Sequence, residues 1–152
     1  MNVKRPITAT ITIGDQPSET DLENLKAEGY RGVVNLQNDG EPEQPLSTTA
    51  EGEKARALGL GYLHYGVSSS PLTEAGVNSV IDFIERESNS GKVLVHCRRG
   101  SRAAALVLLH QAKVHSWSPD EVFSKGKELG LDVEGGLRTL VENYLKELPS
   151  GS

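Results

Sequence analysis

Residues Val93 to Leu109 read VLVHCRRGSRAAALVLL. An apolar run ends at His96 and Cys97; Arg98, Arg99, Gly100, Ser101 and Arg102 follow, and then a segment of strong helix formers. Cys97 is the only cysteine in the chain. A helix N-terminus carries unpaired backbone N–H groups and a positive partial charge, so the turn ahead of it is a ready anion site. Gly100 admits a backbone conformation that a side chain would block. The guanidinium groups of Arg98, Arg99 and Arg102 add fixed positive charge around the sulfur. A thiol in that setting is expected to be a thiolate nucleophile at neutral pH, lying in an anion-binding cradle. Arg102 is placed for bidentate oxyanion contact, and His96 to hold the loop through its ring nitrogens. The competing reading is an inert cysteine buried after an apolar strand, but such thiols sit in apolar rather than cationic surroundings. For Arg98 and Arg99, plain solvent exposure is an equal alternative.

The elements that must position this loop alternate in type. ITATITI (Ile7 to Ile13) alternates apolar residues with Thr and reads as one edge or half-buried strand. Ser18 and Asp21 form a capping-box pattern before a short amphipathic helix. GVVNL (Gly32 to Leu36) is a strand, and QNDGEPEQPLS a polar loop rather than a linker. A helix over TAEGEKARALGL, a strand at GYLHYGV and a turn at SSSPL come next, and Thr73 caps the helix EAGVNSVIDFIERE. KVLVHC lacks polar alternation and is expected to be a central strand buried on both sides. Ser118 as cap, Pro119 at the first helical position and Glu121 predict a helix over SPDEVFSKGKELG, and GGLRTLVENYLKEL repeats Leu and Val at helical spacing. The alternation predicts an α/β fold: a central, mostly parallel sheet of four to five strands flanked by helices on both faces. One domain over residues 1–148 is expected, with 149–152 (PSGS) a disordered tail.

Composition narrows the function classes. A formal net charge of −5 in 152 residues argues against binding nucleic acid or an anionic membrane. No segment approaches membrane-spanning length, and the N-terminal residues never form a continuous apolar run. A lone cysteine makes no internal disulfide, so a cytoplasmic setting is expected. No metal or other cofactor is expected, since His64, His110 and His115 are scattered and there is no cysteine cluster. Trp117 reads as a hydrophobic staple against Val122, while Tyr62 and Tyr65 fit either the cleft or the core.

HCRRGSR resembles the active loop of the cysteine-based protein phosphatases, whose pattern is His-Cys, five residues, then Arg. Here four residues separate Cys97 from Arg102, and Ala103 stands where those enzymes carry the arginine. The shorter loop CRRGSR also resembles that of the rhodanese sulfurtransferases. GDQPSETDLENLKAEGYRGVVNLQNDGE, ALGLGYLHYGVSSSPLT and VLVHCRRGSRAAAL, taken together, are similar to the phosphatase-like domain of the beta-lactamase-hydrolase-like proteins. By fold that family belongs to the dual-specificity phosphatase superfamily. The resemblance runs from about Thr10 to the end of the chain. It implies a dual-specificity-phosphatase-like fold, Cys97 as nucleophile, and an anion cradle of His96, Arg98, Arg99, Gly100, Ser101 and Arg102. Some members of the family are linked to sulfide metabolism.

Two departures bear on mechanism. Dual-specificity phosphatases supply a general-acid Asp from a loop upstream of the cysteine strand, and such proton transfer is worth about 10²–10⁴ in rate. The matching turn, YGVSSSPLT, has no carboxylate. The nearest candidates are Asp39, taken as the candidate acid, and Glu41, against their ordinary reading as solvated turn residues. The Ser or Thr that often follows the arginine is replaced by Ala103. Three functions are consistent with the sequence. The leading one is a phosphatase acting on a phosphorylated anion through a cysteinyl-phosphate on Cys97. Close behind is a sulfurtransferase moving sulfane sulfur from a sulfur-containing anion, through a Cys97 persulfide, to glutathione or another thiol acceptor. The third is a phosphate-binding module without turnover.

Overall fold

The computed structural model describes residues 1–148; the tail expected at 149–152 lies outside the described residues. The elements in chain order are β1 (Lys4–Pro6), β2 (Ile11–Gly14), α1 (Glu19–Ala27), β3 (Tyr30–Asn35), α2 (Thr48–Ala57), β4 (Gly61–His64), α3 (Glu74–Ser88), β5 (Lys92–His96), α4 (Ser101–Val114), α5 (Val122–Glu128) and α6 (Gly135–Glu147). Five strands form one sheet in the order β1-β2-β5-β3-β4. Only the β1–β2 pair is antiparallel. The continuous apolar run of KVLVHC is therefore the central strand, as its lack of alternation predicts.

Each face of the sheet has its own core, set by the two-residue strand period. Val93 and Val95 of β5, Val34 of β3 and Ile11 and Ile13 of β2 join α3, α4 and α6 in the larger cluster. Leu94 and Val33 point the other way, onto Leu22 and Leu25 of α1 and Ala55 of α2. The helix starts follow the capping signals. Ser18 accepts from the N–H of Asp21, whose carboxylate accepts from the N–H of Ser18. Thr73 accepts from the N–H of Gly76 at the head of α3. Caps of this kind contribute about 1 kcal/mol each.

Two expectations are corrected. Ile7–Ile13 is not one strand. Thr8 Oγ1 accepts from the N–H groups of Thr10 and Ile11, and Ile7 N–H donates to Ile11 O, so a hydroxyl-closed turn separates β2 from the exposed β1. The helix expected from Ser118 begins only at Val122. Glu121 Oε1 takes both the N–H and the hydroxyl of Ser118, so the hydroxyl points at the carboxylate and does not cap a helical N–H.

Gly32 lies at the irregularity between Tyr30 and Gly32 where β3 pairs β5. A Cβ there would stand 2.8 Å from the Phe83 ring of α3, which is 4% exposed and has little room to retreat. Gly32→Ala is expected to lower unfolding free energy by about 1–3 kcal/mol, read from the urea midpoint at unchanged slope.

Candidate active site

Parallel pairing brings the carboxyl ends of β3, β4 and β5 to one edge, where ligands bind in open α/β sheets. The segments after these strands (37–47, 65–73 and 97–100) build the site. Cys97 follows β5 and is 1% exposed. Its sulfur lies 3.1 Å from the N of Gly100 and 3.4 Å from the N of Ala103, and both amides donate to it. Gly100, the residue before α4, has φ 103°, a conformation an L side chain rarely adopts. That turn aims the amides of the helix start at the sulfur.

Arg102 projects from the first turn of α4. Nη2 donates to Glu41 Oε1 at 2.6 Å, and Nη1 to Glu41 Oε2 at 2.9 Å, Val67 O at 3.0 Å and Leu36 O at 3.3 Å. The guanidinium thus grips the segments after β3 and β4 at once. The hydrogen bonds from Arg102 hold the Glu41 carboxyl far below its ordinary range, at about 2, with help from the Asn38 N–H and the Gln37 amide and against the cost of burial. The same pair, together with Cys97, holds Arg102 protonated more firmly than usual. Gln37 Nε2 braces Glu41 and Gln16, and Asn38 Nδ2 donates to Val67 O.

These groups open onto a cleft of about 770 Å³. Cys97, Arg98, Arg99, Ser101 and Arg102 line one end, and Val67, Ser68, Ser69 and Pro71 one wall. The other wall is α6, through Gly136, Leu137, Thr139, Leu140 and Asn143. Arg98 also reaches back to Pro42 O and to Glu43, whereas Arg99 is exposed.

Three sequence-predicted residues are not where the expectation put them. Asp39 does not line the cleft; its carboxylate accepts from Thr48 N–H at 2.7 Å and from Thr48 Oγ1 at 3.3 Å at the start of α2. Glu41 is beside the cleft but is ionised in its pair with Arg102, so it has no proton to give. Among the described residues no Asp or Glu lines the cleft. His96 is fully buried on the α1–α2 side, as the alternation from Leu94 requires, with Nε2 2.6 Å from Glu51 Oε2. It supports the strand end behind Cys97 rather than contacting the cleft, and its Nδ1 has no partner among the described residues.

Glu51 and the α6 wall were not anticipated. Glu51 carries a legible signal only in retrospect, as a carboxylate on the buried stripe of α2. Neither Tyr62 nor Tyr65 lines the cleft: Tyr62 Oη donates to Thr48 O, and Tyr65 Oη accepts from Thr73 N–H. His64 Nε2 donates to Gln37 O, and Trp117 stacks on His115 at 5.5 Å.

The Glu41–Arg102 pair has a pH signature. Glu41 titrates lower in the folded chain than in the unfolded one, so its stabilisation is complete above about pH 4.5 and is lost as pH falls toward about 2. Glu41→Gln is expected to destabilise the fold at pH 7 by no more than about 3 kcal/mol. The gap to the parent protein should shrink between pH 4.5 and 2, as followed by urea unfolding across that range. A gap independent of pH would contradict the assignment.

Comparison with known proteins agrees with this architecture. The family model described as "Beta-lactamase hydrolase-like protein, phosphatase-like domain" matches residues 4–114. A beta-lactamase hydrolase-like protein of Xylella fastidiosa (strain 9a5c) is 35% identical over 144 residues, covering 94% of this chain and 32% of its own length. The chain thus spans about a third of that relative. Among solved structures, PTPMT1 superposes with TM-score 0.75 at 22% identity, covering 95% of this chain and 94% of its own. Tk-PTP in the active form gives TM-score 0.74 at 18% identity, covering 95% and 97%. These neighbours share the phosphatase-like α/β fold that the sequence resemblance implied. On the family match, the chain belongs to the phosphatase-like domain family of the beta-lactamase hydrolase-like proteins.

Proposed function

We propose that this domain is a cysteine-dependent phosphatase acting on phosphate monoesters with good leaving groups. The observation that carries the reading is the convergence on Cys97 of the Gly100 and Ala103 amides and, beside it, the clamped guanidinium of Arg102. The amides offset negative charge on sulfur. Arg102, charged and close to the Cys97 sulfur, offers its remaining donors to the equatorial oxygens of a phosphoryl group. The Cys97 sulfur attacks phosphorus in line, the S–P bond forms, and the P–O bond to the alcohol breaks with its electron pair on oxygen. Water then attacks phosphorus, breaks the S–P bond, and releases phosphate and the sulfur anion. With no carboxylic acid lining the cleft among the described residues, the leaving oxygen departs unprotonated or takes its proton from water, which restricts the enzyme to activated esters. PTPMT1, a fold neighbour, has been crystallised in complex with PI(5)P; for the present chain a phosphorylated substrate belongs to the proposal.

One observation favours a second reading, sulfane-sulfur transfer: among the described residues no carboxylic acid lines the cleft, and that reaction needs none. The Cys97 thiolate attacks the outer sulfur of thiosulfate, the S–S bond breaks, and sulfite leaves with the electron pair. A thiol acceptor such as glutathione, as its thiolate, takes the outer sulfur of the Cys97 persulfide and regenerates the enzyme. A cytoplasmic setting belongs to both readings and rests on the lone cysteine.

Para-nitrophenyl phosphate, and separately thiosulfate with cyanide, test the two readings. The phosphatase reading expects turnover of the phosphate ester, lost by at least about a thousandfold in Cys97→Ser and reduced about 10²–10³-fold in Arg102→Ala. Ester hydrolysis that survives in Cys97→Ser would overturn it. Turnover of thiosulfate alone would transfer the site to the second reading.

A further inference from the structure

We infer that α6 sets the substrate class: Leu137 and Leu140 form an apolar wall that receives the organic body of an anion whose charged head lies over Cys97. The inference rests on the anion-binding reading of the Cys97 loop and names what accompanies the anion. The cleft divides by chemistry. Its charged lining residues are Arg98 and Arg99 on the loop and Arg102 in the first turn of α4, and α6 contributes none among the described residues. Facing α6 across the cleft are Val67, Ser68, Ser69 and Pro71, and α6 adds Thr139 and Asn143 beside the two leucines, but the exposed lining is mostly apolar. Leu137 and Leu140 are partly buried and pack against the main core, so they are fixed in place and still exposed on the cleft side.

Size supports the same division. A cleft of about 770 Å³ is in the range of sites that hold whole organic ligands, about 300–1,000 Å³, and far exceeds a tetrahedral oxyanion. Helix α6 (Gly135–Glu147) also lies wholly outside the stretch 4–114 matched by the family model. The wall therefore lies apart from the segment that carries the cradle, although the 144-residue match to the Xylella fastidiosa relative reaches into it. The fitting substrate is a monoanion or dianion on an alkyl or similarly apolar body, as opposed to a sugar phosphate or a bare inorganic anion.

Phosphonates test this without turnover, because their P–C bond is not cleaved. Affinities of inorganic phosphate, methylphosphonate and hexylphosphonate are measured calorimetrically on the unmodified protein. Each buried methylene is worth roughly fourfold, so hexylphosphonate should bind at least fivefold tighter than methylphosphonate. A ratio under fivefold overturns the inference while leaving the cradle intact. In Leu140→Asn, and independently in Leu137→Asn, the hexyl advantage should fall threefold or more with phosphate affinity unchanged; a retained advantage removes α6 as its source. If either variant fails to fold, as judged by circular dichroism, the other variant and the ligand series on the unmodified protein still decide. Failure of all three anions to bind would instead overturn the reading of the Cys97 loop itself, and the α6 assignment with it.

Discussion

The ion pair between Arg102 and Glu41 is the constraint on which the site depends. A partly buried guanidinium is costly unless its donors are met, and here two carboxylate oxygens and two backbone carbonyls take the hydrogens of Nη1 and one of Nη2. Those acceptors come from the end of β3, the loop after it and the segment after β4, while the arginine belongs to α4. One side chain therefore ties three carboxyl-end segments of the sheet together. Satisfying the charge and building the mouth of the cleft are the same event.

The sheet order explains why so few residues suffice. With β5 central and β3 next to it, the end of β5 delivers Cys97 between β2 and the loop that carries Glu41. Gly100 then turns the chain into α4 with its first amides facing back at the sulfur. Behind this, the buried His96–Glu51 contact anchors the last residue of β5 to α2 on the opposite face. The front of the strand end faces the cleft, and the rear is locked into the second core.

What was legible in the sequence were features encoded locally. HCRRGSR announced the loop, the unbroken apolar run announced the central strand, and Ser18 and Thr73 announced their helices because a cap is made within four residues. Asp39 and Glu41 illustrate the boundary. Both are acidic residues in a polar loop, and sequence cannot tell which one turns toward an arginine 61 positions away and which one holds the start of α2. The hairpin at the N-terminus was concealed because a threonine that alternates like a strand residue can also close a turn with its hydroxyl. Leu137 and Leu140 were visible as helix-face leucines, but only the packing of α6 against α4 makes them part of the cleft that Cys97 lines.

In the proposed reaction the Cys97 sulfur is the atom that forms a covalent bond with the substrate's anionic group. The direct measurement is intact mass after rapid mixing with para-nitrophenyl phosphate, a denaturing quench that preserves thiophosphate, and peptide mapping. A phosphoryl adduct confined to Cys97, absent in Cys97→Ser, is the predicted result. Product release with no adduct on Cys97, or an adduct on another residue, would contradict it.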